Sequence, residues 1–250
     1  MKCQVEKTSV SEISNLRQLF LSENNFQIRY HSCHERGWSD SYHLICEKEI
    51  VGYGSVKGMK ELSDRDTIFE FYLKPDYRKY SNAFFEELIQ KSGAIYTENQ
   101  TNDKFLLSMV YEYCKDISSD VILFEDHFQT NFEMPDVIFR NRKKGENIVG
   151  KKISDDSDFI LEKDKKVVAA GGFLLHYNFP FADLYMEVAE DYRKQGLATF
   201  ILQEVKKECY KAGRVPAARC NIANMGSRKS LLKAGMQIAG YMLKGKIKKS

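Results

Sequence analysis

An α/β (α+β) fold in two tandem domains, each a mixed sheet flanked by helices, is predicted by three observations. The tetrapeptide Asp76-Tyr77-Arg78-Lys79 recurs as Asp191-Tyr192-Arg193-Lys194. Each copy follows a strand-like run and precedes an amphipathic helical pattern. The elements around both copies also come in one order: hairpin, strand, turn, helix, strand, helix. An internal repeat of this kind sets the organisation of a chain, and this order of elements calls for a layered α/β architecture.

The first half opens with a helical pattern over residues 10–23, with Ile13, Leu16, Leu19 and Phe20 on one face. A hairpin follows, residues 42–46 and 50–54 joined by Glu47-Lys48-Glu49, and then a strand over 67–73. After the first tetrapeptide, Phe84, Phe85, Leu88 and Ile89 repeat at helical spacing and stop at Gly93. Asn102 then precedes the apolar run 106–110. The second half, from about Met134, shows no clear amphipathic helix before its hairpin. That hairpin joins 158–161 to 167–172 across 162–166, and a strand over 182–188 follows. Leu197, Phe200, Ile201, Val205 and Cys209 mark the next helix, stopped by Gly213, and Asn224 precedes 230–236 as Asn102 precedes its run. The domains are therefore expected at 1–130 and 131–250.

Composition excludes several classes. Among 250 residues, 38 are Lys or Arg and 35 Asp or Glu, a balance that does not point to nucleic acid. Lys244, Lys246, Lys248 and Lys249 read as a solvated tail. The most apolar stretch, 167–188, contains Gly171, His176, Asn178, Pro180 and Asp183, so it reads as two buried strands and a loop with no role in a membrane. The first residues lack the apolar run of a secretory signal. Six cysteines show no CxxC and no zinc-like spacing, and His31, Cys33 and His34 have no second ligand pair in view. A reduced, cytoplasmic protein without a metal is expected. Residues 29–40 are rich in polar aromatic groups; they form either an acceptor-site loop or a surface connection anchored by Trp38. The oligomeric state is not written in the sequence.

Chemistry concentrates at Arg193-Lys194-Gln195-Gly196-Leu197-Ala198-Thr199, between a strand and a helix. A turn at a helix N-terminus presents backbone N–H groups and the positive end of the helix dipole to an anion. Gly196 allows close approach and unusual dihedrals, Ala198 is small, and Arg193 and Lys194 add positive charge for phosphates.

Residues 185–198 resemble the cofactor-binding signature of the GNAT superfamily of N-acetyltransferases, a strand followed by Arg/Gln-x-x-Gly-x-Gly/Ala and a helix. Residues 224–236 resemble the family's closing pattern, an Asn, then Ala or Ser three residues on, then a helix ending in Lys-x-Gly-Phe. The resemblance covers 155–250 well and 1–130 only through the repeat. It implies that acetyl-CoA lies in a V between two splayed strands. Met186 and Val188 would offer backbone groups to the pantetheine arm, residues 193–199 would wrap the pyrophosphate, and Asn224 with Ser227 would contact the other side of the arm. The first copy departs from the pattern, with Ser81 where Gly196 stands and Tyr80 beside it. The first half is expected to bind no CoA.

Acyl transfer to an amine needs a base, a donor to the thioester oxygen and, in many cases, an acid for the thiolate. Glu187 is the first candidate for the base. Strand alternation puts it with Tyr185, opposite Leu184, Met186 and Val188. Asp183 and His176 are alternatives. Many family members use a tyrosine seven residues after the asparagine as the acid, but here that position is Leu231. Tyr185, Tyr192 or Tyr241 would have to substitute, or the thiolate leaves unassisted. The expected activity is acetyl transfer to a primary amine of a small molecule. The alternatives are a non-catalytic acyl-CoA-binding or sensing protein and a protein or peptide N-acetyltransferase.

Overall fold

The computed structural model describes residues 2–248 except Asn25, Arg29 and residues 153–157. Lys249, named above, and residue 29, the first of the 29–40 stretch, lie outside the described residues. The chain forms two compact units: Met1–Asp120 with Gly240–Ser250, and Val121–Ala239.

The first unit starts with strand β1 (Cys3–Thr8), helix α1 (Ser14–Glu23) and the short helix α2 (His31–Glu35). Strands β2 (Ser39–Cys46) and β3 (Glu49–Lys57) form the expected hairpin. Its two turn residues, Glu47 and Lys48, both have positive φ, the conformation that matches the twist of a two-residue hairpin. Strand β4 (Thr67–Leu73) leads through a 3-10 turn, Pro75–Tyr80, into α3 (Ser81–Ser92), which ends at Gly93. Strand β5 (Tyr96–Gln100) and helix α4 (Lys104–Tyr113) follow. Phe71, Phe84, Phe85, Leu88 and Leu106 are fully buried in the core that these elements share.

Strand β6 (Cys114–Asp126) carries the chain into the second unit. There β7 (Ile138–Asn141) and the small pair β8 (Asn147–Ile148) and β9 (Lys151–Lys152) precede the hairpin of β10 (Phe159–Lys163) and β11 (Lys166–Leu174). Among the described residues between β6 and β10 there is no helix. Asp164 and Lys165 repeat the positive-φ hairpin turn of the first unit. Strand β12 (Phe181–Val188), a 3-10 turn at Glu190–Tyr192, helix α5 (Leu197–Lys211), strand β13 (Val215–Asn221) and helix α6 (Met225–Lys233) complete the series. Strand β14 (Met236–Ile247) returns the chain to the first unit.

The strand order is β1-β2-β3-β4-β5-β14 in the first unit and β6-β13-β12-β11-β10-β7 in the second. Each sheet is thus closed by a strand from the other half of the sequence: Met242–Lys246 pair antiparallel with β5, and Val121–Glu125 with β13. This exchange differs from the division at 130/131 expected from the sequence. It also changes the status of the C-terminal lysines. Lys244 and Lys246 stand in β14, with Lys244 Nζ 3.6 Å from Asp120, and Lys248 Nζ donates to the Glu112 carbonyl at 2.8 Å; they belong to a paired strand and its flank instead of a tail.

Gly235 and Lys206 join α6 to the rest of the second unit. Gly235 has φ +82, and a Cβ there would lie 2.1 Å from the Phe128 carbonyl oxygen. Lys206, 2% exposed on α5, reaches the carbonyls of Phe128, Ala234 and Gly235 and stands 2.7 Å from Asp126 Oδ1.

All six cysteines are free. No described helix is long and apolar enough to cross a membrane. Among the described residues of the 29–40 stretch, Tyr30, His34 and Ser39 are buried, His34 paired with Glu70 at 3.1 Å, whereas Trp38 is only half-buried under Arg36.

Candidate active site

Strands β12 and β13 run parallel, but they pair only at Phe181↔Val215, Ala182↔Pro216 and Asp183↔Ala217. Beyond Asp183 the ladder stops. Strand β12 stays paired with β11 as far as Val188↔Ala169, and β13 stays paired with β6 as far as Asn221↔Val121. The two strands therefore part into a V, and the facing edge of β12 from Leu184 onward has no ladder partner on β13. Backbone groups on such an edge need partners from elsewhere.

The open end of the V is bounded by the motif turn. Lys194 and Gly196 both adopt left-handed backbone, φ +62 and φ +85, and α5 begins at the next residue. The first helical bond runs from Phe200 N–H to the Gly196 carbonyl, so the N–H groups of Leu197, Ala198 and Thr199 precede it. A Cβ on residue 196 would meet no protein atom within 4 Å. Glycine is required there by φ alone as far as the protein is concerned, and the space above it is open to a ligand.

A cleft of about 600 Å³ fills this region. Met186, Glu187 and Val188 form one wall. Tyr192, Arg193, Lys194, Gly196, Leu197 and Ala198 form the end. Asn224, Gly226, Ser227, Lys229 and Ser230 form the other wall. Asn224 is the N-cap of α6 and accepts from the Ser227 N–H at 3.0 Å. Two helix N-termini therefore face one cleft, an arrangement suited to an anionic ligand.

Gln195, Thr199, Tyr185, Tyr241, Asp183 and His176, all named from the sequence, do not line the cleft. Gln195 turns back and donates to the Asp191 carbonyl at 3.4 Å. Thr199 contributes no lining side chain. The Tyr185 ring lies across Gly172 of the neighbouring strand: a Cβ on Gly172 would come within 2.5 Å of the Tyr185 hydroxyl. Tyr241 belongs to the first unit. Glu187 does line the cleft, but its carboxylate is paired with Lys151 of β9, a partner that nothing in the local sequence pattern announces. The pair is well exposed, so it is weak and readily exchanged. Gly226, Lys229 and Ser230 were not singled out from the sequence; their signal was proximity to Asn224 at the start of α6.

Asp183 and His176 meet at the apex of the V, with His176 Nε2 3.0 Å from Asp183 Oδ2. Leu231, at the position of the family's acid, is buried. On the parted section of β13, burial pushes the Cys220 thiol up, with Arg228 and Ser227 only partly opposing. That thiol is held neutral, which disfavours a role as nucleophile. Among the described residues no group of three or more His, Cys, Asp or Glu side chains could hold a metal ion.

The family pattern described as "Acetyltransferase (GNAT) domain" matches residues 9–127, and the one described as "Acetyltransferase (GNAT) family" matches residues 123–236. An acetyltransferase from the GNAT family from Colwellia psychrerythraea superposes with a TM-score of 0.74 at 17% identity, over 99% of this chain and 100% of that one. A GCN5-related N-acetyltransferase from Sphaerobacter thermophilus gives 0.63 at 13% identity, over 98% and 95%. A tandem GNAT protein from the clavulanic acid biosynthesis pathway gives 0.60 at 10% identity, over all of both chains. At these identities the likenesses establish the fold. No curated protein matches the sequence. Two parted-strand α/β units in one chain, each matched by a GNAT acetyltransferase pattern, define a tandem acetyltransferase architecture. The chain belongs to the GNAT acetyltransferase family.

Proposed function

We propose that the second unit binds acetyl-CoA in this cleft and moves the acetyl group to a primary amine of a small molecule, by direct attack with both substrates bound. The observation that carries the proposal is the parting of β12 and β13 beside the left-handed turn at Lys194–Gly196. The residues fit such a ligand: a strand edge without a ladder partner suits an amide-bearing arm, and the N-termini of α5 and α6 with Arg193, Lys194 and Lys229 suit its phosphates. Bound acetyl-CoA supplies the activated thioester. Glu187, on the cleft wall, is the group proposed to take the amine's proton, releasing Lys151 to solvent as it does so. Holding amine and thioester together in the V accounts for a large part of the expected acceleration. Six free thiols are in keeping with a reducing, cytoplasmic setting.

Acetyl-CoA at a hundredfold excess over its dissociation constant raises stability by about 2.7 kcal/mol, read as a higher melting temperature. Ala198→Trp fills the cleft wall without touching a left-handed residue and should remove that rise. No rise in the parent protein would sink the proposal.

Leu231 favours a second reading, in which the unit binds acyl-CoA without turnover because no side chain at that position protonates the thiolate. Steady thiol release from acetyl-CoA with any amine decides against it.

A further inference from the structure

Asp183 is the last residue of β12 that pairs with β13, so its side chain stands where the V closes. The side chain is 7% exposed. One group holds one of its oxygens: Arg219 Nε donates to Oδ2 at 3.2 Å, while His176 Nε2 lies 3.0 Å from the same atom without making a hydrogen bond. The other oxygen, Oδ1, is buried and has no hydrogen-bond partner. A carboxylate can accept about four hydrogen bonds, and a buried acceptor left unmet is costly. Such exceptions in folded proteins call for an explanation, and a binding role is one of the few available. His176 and Arg219, which flank the carboxylate, are themselves 18% and 32% exposed.

We propose that Asp183 is the anchor of the acceptor: its free Oδ1 accepts an N–H from the attacking amine, while Arg219 fixes the carboxylate through Oδ2. The inference rests on the acetyl-transfer function proposed above. Val188, at the open end, is five residues on from Asp183, about 17 Å of strand. A donor held by its phosphates at the Lys194–Gly196 turn extends along β12 towards Asp183. A neutral primary amine keeps its lone pair for the thioester and still has two N–H donors, one of which suits Oδ1. An alcohol that uses its single O–H in this way has no donor left over, whereas the amine keeps one N–H.

Asp183→Asn tests this with little change of shape. Arg219 donates to the Oδ2 position, so the amide oxygen must sit there and the NH₂ must occupy the Oδ1 position. An acceptor becomes a donor, and the amine meets repulsion. Expected are an increase of about tenfold or more in KM for n-alkylamines from C2 to C8 and an unchanged KM for acetyl-CoA. Without turnover, titration of the CoA-saturated parent protein with n-hexylamine should show binding that 1-hexanol does not match and that Asp183→Asn loses. Asp183→Glu, which keeps the acceptor, should recover amine binding to within a few-fold. If acetyl-CoA binds and the amine KM is the same in Asp183→Asn, the anchor is refuted while the transferase function stands. If 1-hexanol binds the CoA-saturated protein as well as n-hexylamine, the anchor is likewise refuted. If acetyl-CoA does not bind the parent protein, both fall.

Discussion

The two copies of Asp-Tyr-Arg-Lys fold into different turns. In the second, Lys194 and Gly196 go left-handed, and α5 starts with its N-terminus facing a cleft. In the first, the 3-10 turn Pro75–Tyr80 runs directly into α3, and Ser81 is right-handed at φ −52. Part of the device is common to both: Arg78 Nε donates to the Leu73 carbonyl and Arg193 Nε to the Val188 carbonyl, the matching strand end. Beyond that bond they diverge. Arg78 pairs with Glu23 and lies over the rings of Tyr72 and Phe105, at 5.8 and 5.4 Å, whereas Arg193 stays mostly exposed.

The parting of strands also occurs in both units, since β4 and β5 pair only at Thr67↔Tyr96 and Ile68↔Thr97. What differs is the filling. Asp103 caps α4 as Asn224 caps α6, so Phe105 stands where the second unit has Gly226. Phe105 stacks on Phe71 of β4 at 5.5 Å and 8°. Phe71 corresponds to Met186, which lines the open cleft. One architecture thus gives a packed aromatic core in the first unit and a ligand-sized space in the second. Glycine at two positions, 196 and 226, marks the open version.

The largest effects should come from breaking this asymmetry. Ala198→Trp should weaken acetyl-CoA binding by at least a hundredfold, and Ser81→Trp should leave it unchanged, as measured by calorimetric titration. Equal losses would mean that the first unit also takes part.

Buried charge gives the next largest effect, and here the two units should behave alike. In the first, Glu70 is 1% exposed and accepts from Arg17 on both oxygens, with Tyr53 and His34 also at Oε2. Burial opposes its ionisation, but Arg17 and His34 outweigh it and hold the carboxyl well below the usual range. Glu70→Leu strands Arg17, and Lys206→Met takes the buried cation from the Phe128, Ala234 and Gly235 carbonyls and from Asp126, which keeps only Tyr210. Each should cost about 3–5 kcal/mol in denaturant unfolding.

The caps predict a pH effect confined to the first unit. Burial pushes Asp103 up to about 7, against the Leu106 N–H that it accepts and with help from the Glu70 charge. Between about pH 4 and 7 the folded state keeps a proton that the unfolded chain has released. This group's contribution to stability is therefore lost as pH rises through that window. Asp103→Asn should flatten that slope, a difference of up to about 4 kcal/mol across it. The smallest effect is Asn224→Ala, about 1 kcal/mol for the lost cap, with weaker cofactor binding if the cleft is used as proposed.

Local signals in the sequence were reliable because they are local. Both hairpins, the stops at Gly93 and Gly213, and the strand–turn–helix at 182–211 follow from periodicity and backbone preference. The exchange of β6 and β14 did not, because strand alternation tells which face is buried but not which strand lies alongside. The same gap made Lys244 and Lys246 look like a tail. Asn102 looked like the partner of Asn224, whereas the helix cap is Asp103; motif matching across 120 residues tolerates a slip of one that capping geometry does not. Tyr185 and Glu187 share a strand face by alternation, yet Gly172 leaves a hollow that draws the tyrosine ring away from the cleft. No pattern in one strand could reveal a hollow in its neighbour.

The central claim is that one unit holds the cofactor and the other has closed the same site. Calorimetric titration of the whole chain with acetyl-CoA tests it most directly. The account predicts one site per chain, lost in Ala198→Trp and kept in Ser81→Trp. Two sites per chain, or one that survives Ala198→Trp, would contradict it.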